Sequence, residues 1–338
     1  METLLLNPAA VEESTQWPAV ITAVEDAFAA YAEGAAQMPA KSYIDLPQYD
    51  GDFRSMPAYI DAREREGSAE SWDAAGIKWV NSHPSNPDDH GLPTVMGTMI
   101  YSDPETALPL AILDGTTLTR KRTGAAAAVA TDHLAVPDAS SLGLVGAGVQ
   151  AHTQLEAIAT VRDVETVVVA DVNEAAIAAF IEKYGDDYAV REGTVADAAS
   201  CDVVSTTTPV EDPIVPRDAV GDHTHVNAMG ADAEDKHELA DEILLDAKLV
   251  IDDHDQCTHS GEINVPYTAG TLGDDDIHAE LGEIVVGEKA GRTDSDGITV
   301  FDSTGLAIQD VASAHVVYEY AQDNDIGTPF ELVDTDLL

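Results

Sequence analysis

A strand, a glycine loop, a helix and a second strand follow one another near the middle of the chain, and this pattern constrains the fold more than any other. The apolar run Leu142–Val145 leads into Gly146-x-Gly148-x-x-Ala151, a helical stretch follows, and a second apolar run, Glu165–Ala170, ends at Asp171. The first glycine permits a tight turn, the second lets a pyrophosphate approach the backbone, and the small third residue lets the helix pack closely on the strand. The sequence therefore predicts a Rossmann unit that binds a dinucleotide.

Asp171 indicates which dinucleotide is expected. It lies 25 residues after Gly146, near the ~20-residue offset of the acidic residue that binds the adenosine ribose in such units. A carboxylate accepts hydrogen bonds from both ribose hydroxyls but repels a 2′-phosphate. The following residues, Val172, Asn173 and Glu174, include no arginine that could neutralise a phosphate. We therefore expect NAD rather than NADP.

Strands and helices continue to alternate after this unit. Apolar runs at Val203–Thr206, His225–Ala228 and Leu249–Asp252 are typical of buried parallel strands, and Asn173 is placed to cap a helix. The pattern predicts an α/β class domain with a doubly wound parallel sheet, the Rossmann NAD-binding domain, over residues 126–304.

The flanking parts have a different pattern. Pro18–Glu33 has the spacing of an amphipathic helix, and the extended runs Thr94–Tyr101 and Leu108–Leu113 are joined by a turn sequence, which predicts an antiparallel hairpin. A last helix is predicted over Gly305–Gln322. Residues 1–125 and 305–338 are therefore expected to form an α+β domain with a mainly antiparallel sheet.

The composition is strongly acidic, with 16 Lys and Arg against 63 Asp and Glu and a formal net charge of −47. Because 44% of the residues are hydrophobic, the chain can still bury a large core, and the charge belongs on the surface of a folded protein. Such a surface repels nucleic-acid phosphates and anionic lipid headgroups. No run of ~18 apolar residues and no signal-peptide pattern is present. Nucleic-acid and membrane partners are therefore not expected.

The acidity also indicates a habitat. Self-repulsion at this charge destabilises a compact state unless salt screens it, and halophilic proteins have this composition. Only two cysteines occur, Cys201 and Cys257, far apart in sequence, which fits a reducing cytoplasm. We expect a cytoplasmic protein of a halophile.

Half of the scarce bases precede the predicted Rossmann unit: Lys41, Arg54, Arg63, Arg65, Lys78, Arg120, Lys121 and Arg122. Arg63 and Arg65 alternate with glutamates, which favours local ion pairs on a solvated face. Lys41, Arg54 and Lys78 lie in or beside apolar, strand-like segments. These three either form ion pairs with the abundant acids or converge on a substrate carboxylate.

Three smaller patterns bear on function. Arg122-Thr123 is expected to open the alanine-rich helix that follows, whose N-terminus could hold an anion or could simply need small residues for packing. Asp232, which follows a predicted strand, is either an acid and base in catalysis or a solvated loop residue. The pair His223-x-His225 has no Cys or Glu at ligand spacing, so no metal site is expected.

Several segments resemble the ornithine cyclodeaminase/mu-crystallin family, which includes an archaeal type of alanine dehydrogenase. In family order along nearly the whole chain, they are Met38–Lys41, Ser55–Tyr59, Lys78–Asn81, Leu118–Ala126, Leu144–Ala151, Val226–Asp232 and Glu280–Glu283. The resemblance implies a homodimer. It also implies that residues 1–125 and 305–338 form the substrate-binding and dimerisation domain, and that a nicotinamide cofactor binds the Rossmann domain.

The resemblance further implies roles for individual residues. Lys78 and Arg122 match the family's carboxylate-binding bases, and Lys78 and Asp232 are the expected catalytic residues. Lys41 stands where cyclodeaminases usually carry Arg. The expected substrate contacts are Lys41, Arg54, Lys78 and Arg122. The expected cofactor contacts are Arg122, Thr123, Gly146, Ala147, Gly148, Val149, Gln150, Asp171, Val172, Thr207, Val226, Asn227, Ala228 and Ser303.

Arg54 is the departure that bears on the substrate. Cyclodeaminases carry a Glu two residues before Met56, whereas the alanine-dehydrogenase type carries a base. Ornithine brings a second ammonium group, which a Glu attracts and an Arg repels. The favoured reaction is therefore NAD-dependent oxidative deamination of L-alanine, or a similar amino acid, with Asp232 moving protons. The alternatives are ornithine cyclodeamination, reduction of a ketimine or pyrroline carboxylate, and ligand binding without turnover, as in mu-crystallin.

Overall fold

The computed structural model describes residues 2–63 and 71–334. Contacts divide the chain into two compact units, Met1–Arg122 with Leu306–Leu338, and Thr123–Gly305. The sequence predicts the boundaries at 125/126 and 304/305. Arg65, expected to form a local ion pair, lies outside the described residues.

The first unit is built on a mixed, mainly antiparallel sheet. Its strands are β1 (Thr3–Leu6), β2 (Ala36–Gln37), β3 (Ser42–Leu46), β4 (Gly51–Asp61), β5 (Asp73–Ser82), β6 (Val95–Ser102), β7 (Pro109–Asp114) and β16 (Thr328–Phe330). In space they follow the order β16-β1-β7-β6-β5-β4-β2, with β3 also paired to β4. The β1–β7 pair is parallel, and β6 and β7 form the predicted antiparallel hairpin. The predicted fold class of this part is confirmed.

Helices α1 (Pro8–Ser14), α2 (Trp17–Ala32) and α12 (Ala307–Asp323) pack on this sheet. The same unit contains α3 (Asn86–His90) and the start of α4 (Gly115–Leu134). Helix α2 buries Val20, Val24 and Phe28, as its spacing predicts. Helix α12 is buried on nearly all sides because it packs against α2 and strands β4, β5 and β6.

Helix α4 begins earlier than the sequence predicts. The predicted start at Arg122-Thr123 is wrong, because the helix begins at Gly115 and both residues lie in its interior. The Asp114 carboxylate accepts a hydrogen bond from the Thr117 N–H at 2.8 Å and so supports the true N-terminus. The first two turns are polar, and the apolar pattern that marks a helix starts only at Gly124. The N-terminus of α4 is therefore two turns away from Arg122 and does not provide the anion site that was predicted there.

The second unit contains a parallel sheet. Its strands are β8 (Ser141–Val145), β9 (Thr166–Ala170), β10 (Ala189–Glu192), β11 (Val203–Thr206), β12 (His225–Ala228), β13 (Lys248–Ile251), β14 (Ile277–Glu280) and β15 (Thr299–Asp302). Their order is β10-β9-β8-β11-β12-β15-β13-β14. The chain leaves β8 toward β9 and later returns on the other side of β8 as β11, which is the topological switch point of a doubly wound sheet. The predicted α/β class is confirmed.

The helices of this unit precede or separate its strands along the chain. They are the end of α4, α5 (Val149–Val161), α6 (Glu174–Tyr184), α7 (Val195–Ala199), α8 (Asp241–Asp246), α9 (His254–Ser260), α10 (Asn264–Thr268) and α11 (Leu281–Val285). Asn173 caps α6 as predicted, because its side chain accepts from the Ala175 and Ala176 N–H groups. Two buried apolar clusters pack in this unit, one including Val204 and Val226 and the other Leu144 and Val167.

Candidate active-site residues

A buried group of charged side chains lies in the first unit. Lys78 projects from β5, Arg122 from α4 and Asp310 from α12. The Lys78 Nζ lies 2.7 Å from Asp310 Oδ2, and the Arg122 Nε lies 3.2 Å from Asp310 Oδ1. The side chain of Asp310 is 0% exposed, that of Lys78 is 2% and that of Arg122 is 8%. Two bases therefore share one acid in a site that is almost closed to water.

The surroundings of Lys78 lower its proton affinity. Burial is the main cause, Asp310 opposes it, and the charges of Arg122 and Lys41 add to it, so that the pKa of Lys78 falls to about 7. Lys78 Nζ also donates a hydrogen bond to Thr119 Oγ1 at 3.2 Å. A lysine of this kind can bind an anion and exchange a proton near neutral pH.

Arg54 shares a sheet face with Lys78. In the β4–β5 pair, Arg54 is opposite Val80 and Met56 is opposite Lys78, so the two bases project from the same side of the sheet. The Arg54 Nε and Nη2 atoms both donate to Asp52 Oδ2, at 3.0 and 2.9 Å. The Arg54 guanidinium also lies 5.6 Å from the centre of the Tyr43 ring. Arg54 therefore has an acidic partner on its own strand, whereas Lys78 and Arg122 share Asp310.

Arg63 was expected to form local ion pairs, and its described partners are Asp61, at 2.7 Å, and Asp73, at 3.4 Å. The glutamates next to it in sequence lie outside the described residues. Lys121, also in α4, pairs with Glu12 at 2.6 Å and lies 4.8 Å from the centre of the Trp17 ring. Lys121 therefore ties α4 to the first two helices.

Sequence reasoning missed two residues of the buried group, Asp310 and Gln309. The Gln309 Oε1 atom accepts a hydrogen bond from Arg122 Nη1 at 3.1 Å, and the side chain is fully buried. A usable pattern was present: Asp310 is four residues before Ala314 and eight before Tyr318, and so lies on the apolar face of the last helix. An acid on such a face needs a buried basic partner.

The glycine loop of the second unit has the conformation that its sequence predicts. Gly146 has φ +106°, and a Cβ there would lie 2.8 Å from Thr207 Oγ1, so the turn after β8 requires glycine. A Cβ at Gly148 would meet no atom within 4 Å, and Gly148 caps α5 without a side-chain hydrogen bond. The helix N-terminus therefore opens onto free space that a phosphate can enter.

Asp171 stands beside this loop. Its Oδ2 accepts from the Ala147 N–H at 2.6 Å, and its Oδ1 accepts from the Asn173 N–H at 2.7 Å. Each carboxylate oxygen keeps a further lone pair that could accept from a ribose hydroxyl. Val172 is fully exposed and Val149 is 59% exposed, so two apolar side chains are available beside the loop for an adenine ring. These features fit a dinucleotide.

Other predicted cofactor contacts have internal partners. The Thr207 N–H donates to the Val145 carbonyl at 2.9 Å, and Ser303 Oγ donates to Asp252 at 2.9 Å. Thr123 accepts a hydrogen bond from Gln154 at its carbonyl, and Gln150 Oε1 accepts from Thr153. The side chains of Val226, Asn227 and Ala228 are fully buried in β12. Their cofactor roles stay predictions.

Asp232 follows β12 and forms an ion pair with a lysine four residues later in the chain. Its Oδ1 lies 3.0 Å from the Nζ of Lys236, and the side chain is 45% exposed. Just before it, the Gly230 N–H donates to Glu238 Oε2 at 3.1 Å, and Glu238 Oε1 accepts from the Thr208 N–H at 2.7 Å. The buried Glu238 carboxylate therefore joins the loops that follow β11 and β12.

The Glu238 carboxylate is one of three buried carboxylates that accept hydrogen bonds from backbone N–H groups in this unit. The Glu262 carboxylate accepts from the N–H groups of Glu238 and Leu239, and Asp302 accepts from those of Glu262 and Ile263. Burial raises the pKa of Glu238 and Glu262, and raises that of Asp302 to about 7. The carboxylates bind backbone donors within the protein.

The two histidines of the His-x-His pair do not act together. His225 is buried between Thr299 Oγ1, 2.9 Å away, and Asn227 Oδ1, 3.1 Å away, whereas His223 contacts the Asp296 carbonyl. Within residues 2–63 and 71–334, no three His, Cys, Asp or Glu side chains are grouped to hold a metal ion. In that same part of the chain, no helix has the length and apolarity needed to span a bilayer.

Known proteins resemble this chain over nearly its whole length. The sequence profile of the ornithine cyclodeaminase/mu-crystallin family matches residues 1–325. An alanine dehydrogenase of Archaeoglobus fulgidus is 46% identical over 330 residues, which cover 97% of this chain and 98% of that protein. A solved archaeal alanine dehydrogenase dimer with bound NAD has 45% identity and a TM-score of 0.91, with 98% of this chain and 100% of that one covered. Thermococcus litoralis Δ1-pyrroline-2-carboxylate reductase, solved with NADH and L-proline, has 34% identity and a TM-score of 0.89, with 96% and 99% covered.

Proposed function

The chain belongs to the ornithine cyclodeaminase/mu-crystallin family, and on that premise we propose that it is an NAD-dependent amino-acid dehydrogenase that interconverts L-alanine and pyruvate. L-Alanine, NAD⁺ and water give pyruvate, ammonium, NADH and a proton. The likeness to archaeal alanine dehydrogenase, at 46% identity to the curated relative and 45% to the solved dimer, supports this choice of substrate.

The buried group around Asp310 is the observation that carries the proposal. Lys78 and Arg122 share a single described acidic partner within this group, and Lys41 is close enough to lower the proton affinity of Lys78. An uncompensated buried charge is costly, so a surplus of positive charge here is best explained by an anion that binds it. The α-carboxylate common to alanine and pyruvate is such an anion.

The predicted site residues would have three separate roles in the reaction. The glycine loop and Asp171 would hold NAD, which accepts the hydride from the amino-acid Cα when it is bound. Lys78, Arg122 and Lys41 would bind and orient the substrate carboxylate, and the almost complete burial of Lys78 keeps water away from this contact. The half-exposed Asp232 carboxylate would take up and return the proton of the water that converts the imine to the oxo acid.

We also propose a homodimer in the cytoplasm of a halophile. The related archaeal structure is a dimer. The net charge of −47 suits a salt-rich cytoplasm, and both cysteines are buried and unpaired, as expected in a reducing compartment. Sedimentation in molar KCl tests the dimer directly.

A reductase is the second candidate. The likeness to a Δ1-pyrroline-2-carboxylate reductase at 34% identity supports it, because that substrate also joins a carboxylate to a carbon–nitrogen double bond. The same buried bases would bind its carboxylate, and the same hydride transfer would reduce it. Ornithine cyclodeamination and binding without turnover remain outcomes of the test.

The deciding experiment follows NADH absorbance with the purified protein in molar KCl. Pyruvate with ammonium, Δ1-pyrroline-2-carboxylate and L-ornithine are supplied in turn, and proline is measured in parallel. Rapid NADH oxidation with pyruvate and ammonium is the expected result. Faster turnover of the pyrroline would favour the reductase, and proline from ornithine without net NADH would favour the cyclodeaminase. NAD binding without turnover of any substrate would favour the binding protein.

A further inference from the structure

Gln309 has a donor that is buried without a partner. Its side chain is 0% exposed, and its Nε2 atom makes no hydrogen bond within the described part of the chain. Its Oε1 atom accepts from Arg122 Nη1 at 3.1 Å and from the Leu306 N–H at 3.2 Å. Because both neighbours of Oε1 are donors, exchanging the amide nitrogen and oxygen would place donor against donor. The orientation of the amide is therefore determined, and Nε2 is the amide atom that has no hydrogen-bond partner within the described residues.

The unused donor lies beside the proposed carboxylate site. Nε2 is bonded to the same carbon as Oε1, so it is within a few ångströms of the Arg122 guanidinium. Arg122 contacts Asp310 through Nε and Gln309 through Nη1, and neither contact uses its Nη2. A buried donor without an acceptor is costly and rare in native proteins. An acceptor supplied by a ligand would remove that cost.

We propose that Gln309 Nε2 donates a hydrogen bond to an oxygen of the substrate carboxylate held by Arg122, which makes Gln309 a substrate-binding residue. This inference rests on the proposed function, since it assumes that the buried bases receive a carboxylate. The inference adds a neutral hydrogen-bond donor to the positively charged groups that are proposed to bind the carboxylate. A neutral amide suits this position because a glutamate would place a second acid beside Arg122 and would oppose an incoming anion.

Gln309→Glu is the sharpest variant. It keeps an oxygen that can accept from Arg122 and from the Leu306 N–H, but it replaces the donor by an acceptor. Gln309→Met removes the donor without adding charge. Ser313→Ala is the matched control, because Ser313 lies one turn later in α12 and its buried Oγ also has no hydrogen-bond partner in the described residues. Circular dichroism in molar KCl verifies that each variant is folded.

The KM for pyruvate is measured for each variant, together with the Kd of oxamate, an unreactive pyruvate analogue, in the presence of NADH. We expect both constants to rise about tenfold or more in Gln309→Glu and Gln309→Met, and to stay within about twofold of wild type in Ser313→Ala. The Kd of NADH alone is expected to be unchanged in all three. If Gln309→Met does not fold, Gln309→Leu, which also removes the donor without adding charge, takes its place.

Wild-type affinity for oxamate in Gln309→Glu would show that Gln309 only supports Arg122, and would overturn the inference. So would a loss in Gln309→Glu that a folded Gln309→Met does not share, because the added charge would then be the cause. If the wild type binds oxamate but does not turn over pyruvate, the proposed function is contradicted. The role of Gln309 is then still tested by the oxamate Kd of the variants. A wild type that neither binds oxamate nor turns over pyruvate would contradict both.

Discussion

The Asp310 carboxylate lies 2.7 Å from the Nζ of Lys78, and both side chains are almost completely buried. The contact joins α12 to strand β5, and the charge of Asp310 opposes the effect of burial on the pKa of the lysine. Burial is the stronger effect, so the pKa of Lys78 is about 7 rather than its usual value near 10.5. The geometry of this pair therefore determines how much of the site is positively charged at neutral pH.

Replacing Asp310 by Asn should move the pH dependence of catalysis. The negative charge of Asp310 raises the pKa of Lys78, so its removal lowers that pKa, and Lys78 loses its proton at lower pH than in the wild type. If protonated Lys78 binds the substrate anion, kcat/KM for pyruvate falls as pH rises and falls earlier in the variant. We expect roughly tenfold lower kcat/KM at about pH 8.

The measurement is a profile of kcat/KM from about pH 5.5 to 9 on protein shown to be folded by circular dichroism. Glu12→Gln is a suitable control, because it breaks another ion pair of α4, the 2.6 Å contact with Lys121, outside the buried group. A profile that is the same in Asp310→Asn and in wild type would contradict the role given to Lys78.

The glycine loop and its acid could be predicted because they depend on local sequence. Gly146, Gly148 and Asp171 belong to one strand–helix–strand unit, and the backbone conformation of Gly146, with φ +106°, is available to few other residues. The strands and helices that show their own periodicity were equally accessible. Their ends shifted by one or two residues in α2 and α12 and by seven at the start of α4, and strands β1, β10, β14 and β15 were not predicted.

The buried charge group could not be assembled from the sequence. Lys78 and Asp310 are 232 residues apart, and their contact depends on packing between a strand and the last helix, which no local pattern records. Helix α4 was difficult to predict for a local reason. Its first turns are polar, since Lys121 pairs with Glu12 and Arg122 with the buried Asp310. That polarity concealed the helix that places Arg122.

Gly230→Ala should disturb Asp232 through the loop that precedes it. A Cβ at Gly230 would lie 2.6 Å from the Thr208 carbonyl oxygen and would also collide with the Glu238 carboxylate. Neither the Thr208 backbone nor the buried Glu238 side chain can move enough to make room for the Cβ, so the loop around Gly230 must shift. We expect kcat to fall about tenfold or more, while the Kd of oxamate stays near the wild-type value.

Gly273→Ala is the matched control in the same unit, because a Cβ there meets no atom within 4 Å. Asp232→Asn gives the reference for complete loss of the proposed proton transfer. Unchanged kcat in Gly230→Ala, or full activity in Asp232→Asn, would contradict the role of Asp232.

Asp171→Ala should weaken NAD binding and reduce the preference for NAD over NADP. The change also removes the hydrogen bonds from the Ala147 and Asn173 N–H groups, so a weaker affinity alone would not identify contact with the ribose. The ratio of the two dissociation constants does identify it. The lost backbone contacts affect both nucleotides alike, whereas the hydrogen bond to the 2′-hydroxyl of NAD and the repulsion of the 2′-phosphate of NADP both depend on this carboxylate. We expect the ratio, from fluorescence titration, to narrow about tenfold. Tighter binding of NADP than NAD by the wild type would exclude the role of Asp171.

Activity and structure should depend on salt. At a net charge of −47, repulsion between acidic side chains destabilises the folded state. Salt screens this repulsion, because the Debye length is ~3 Å at 1 M salt but ~10 Å at 0.1 M. We expect activity and the helical circular dichroism to be lost as KCl is lowered from about 2 M to about 0.1 M. Sucrose at equal osmolality should not replace KCl, because it screens no charge. Native circular dichroism in dilute buffer would contradict the halophilic interpretation.

Arg54→Glu should change which substrate the enzyme prefers. Arg54 lies on the same sheet face as Lys78, and its guanidinium is held by Asp52 at 2.9 Å. A Glu at this position would place two carboxylates on neighbouring positions of one face, which disfavours an oxo-acid anion and favours a second ammonium group. We expect the ratio of kcat/KM for pyruvate to that for ornithine to fall at least tenfold, equivalent to about 1.4 kcal/mol.

Arg54→Gln is the matched control, because it removes the positive charge without adding a negative one, and its ratio should lie between those of wild type and Arg54→Glu. Both rates are followed in molar KCl, with NADH absorbance for pyruvate and proline formation for ornithine. Rapid formation of proline by the unmodified protein, without accumulation of NADH, would show that Arg54 does not exclude a cationic side chain. The same ratio in all three proteins would place the determinant of substrate choice away from Arg54.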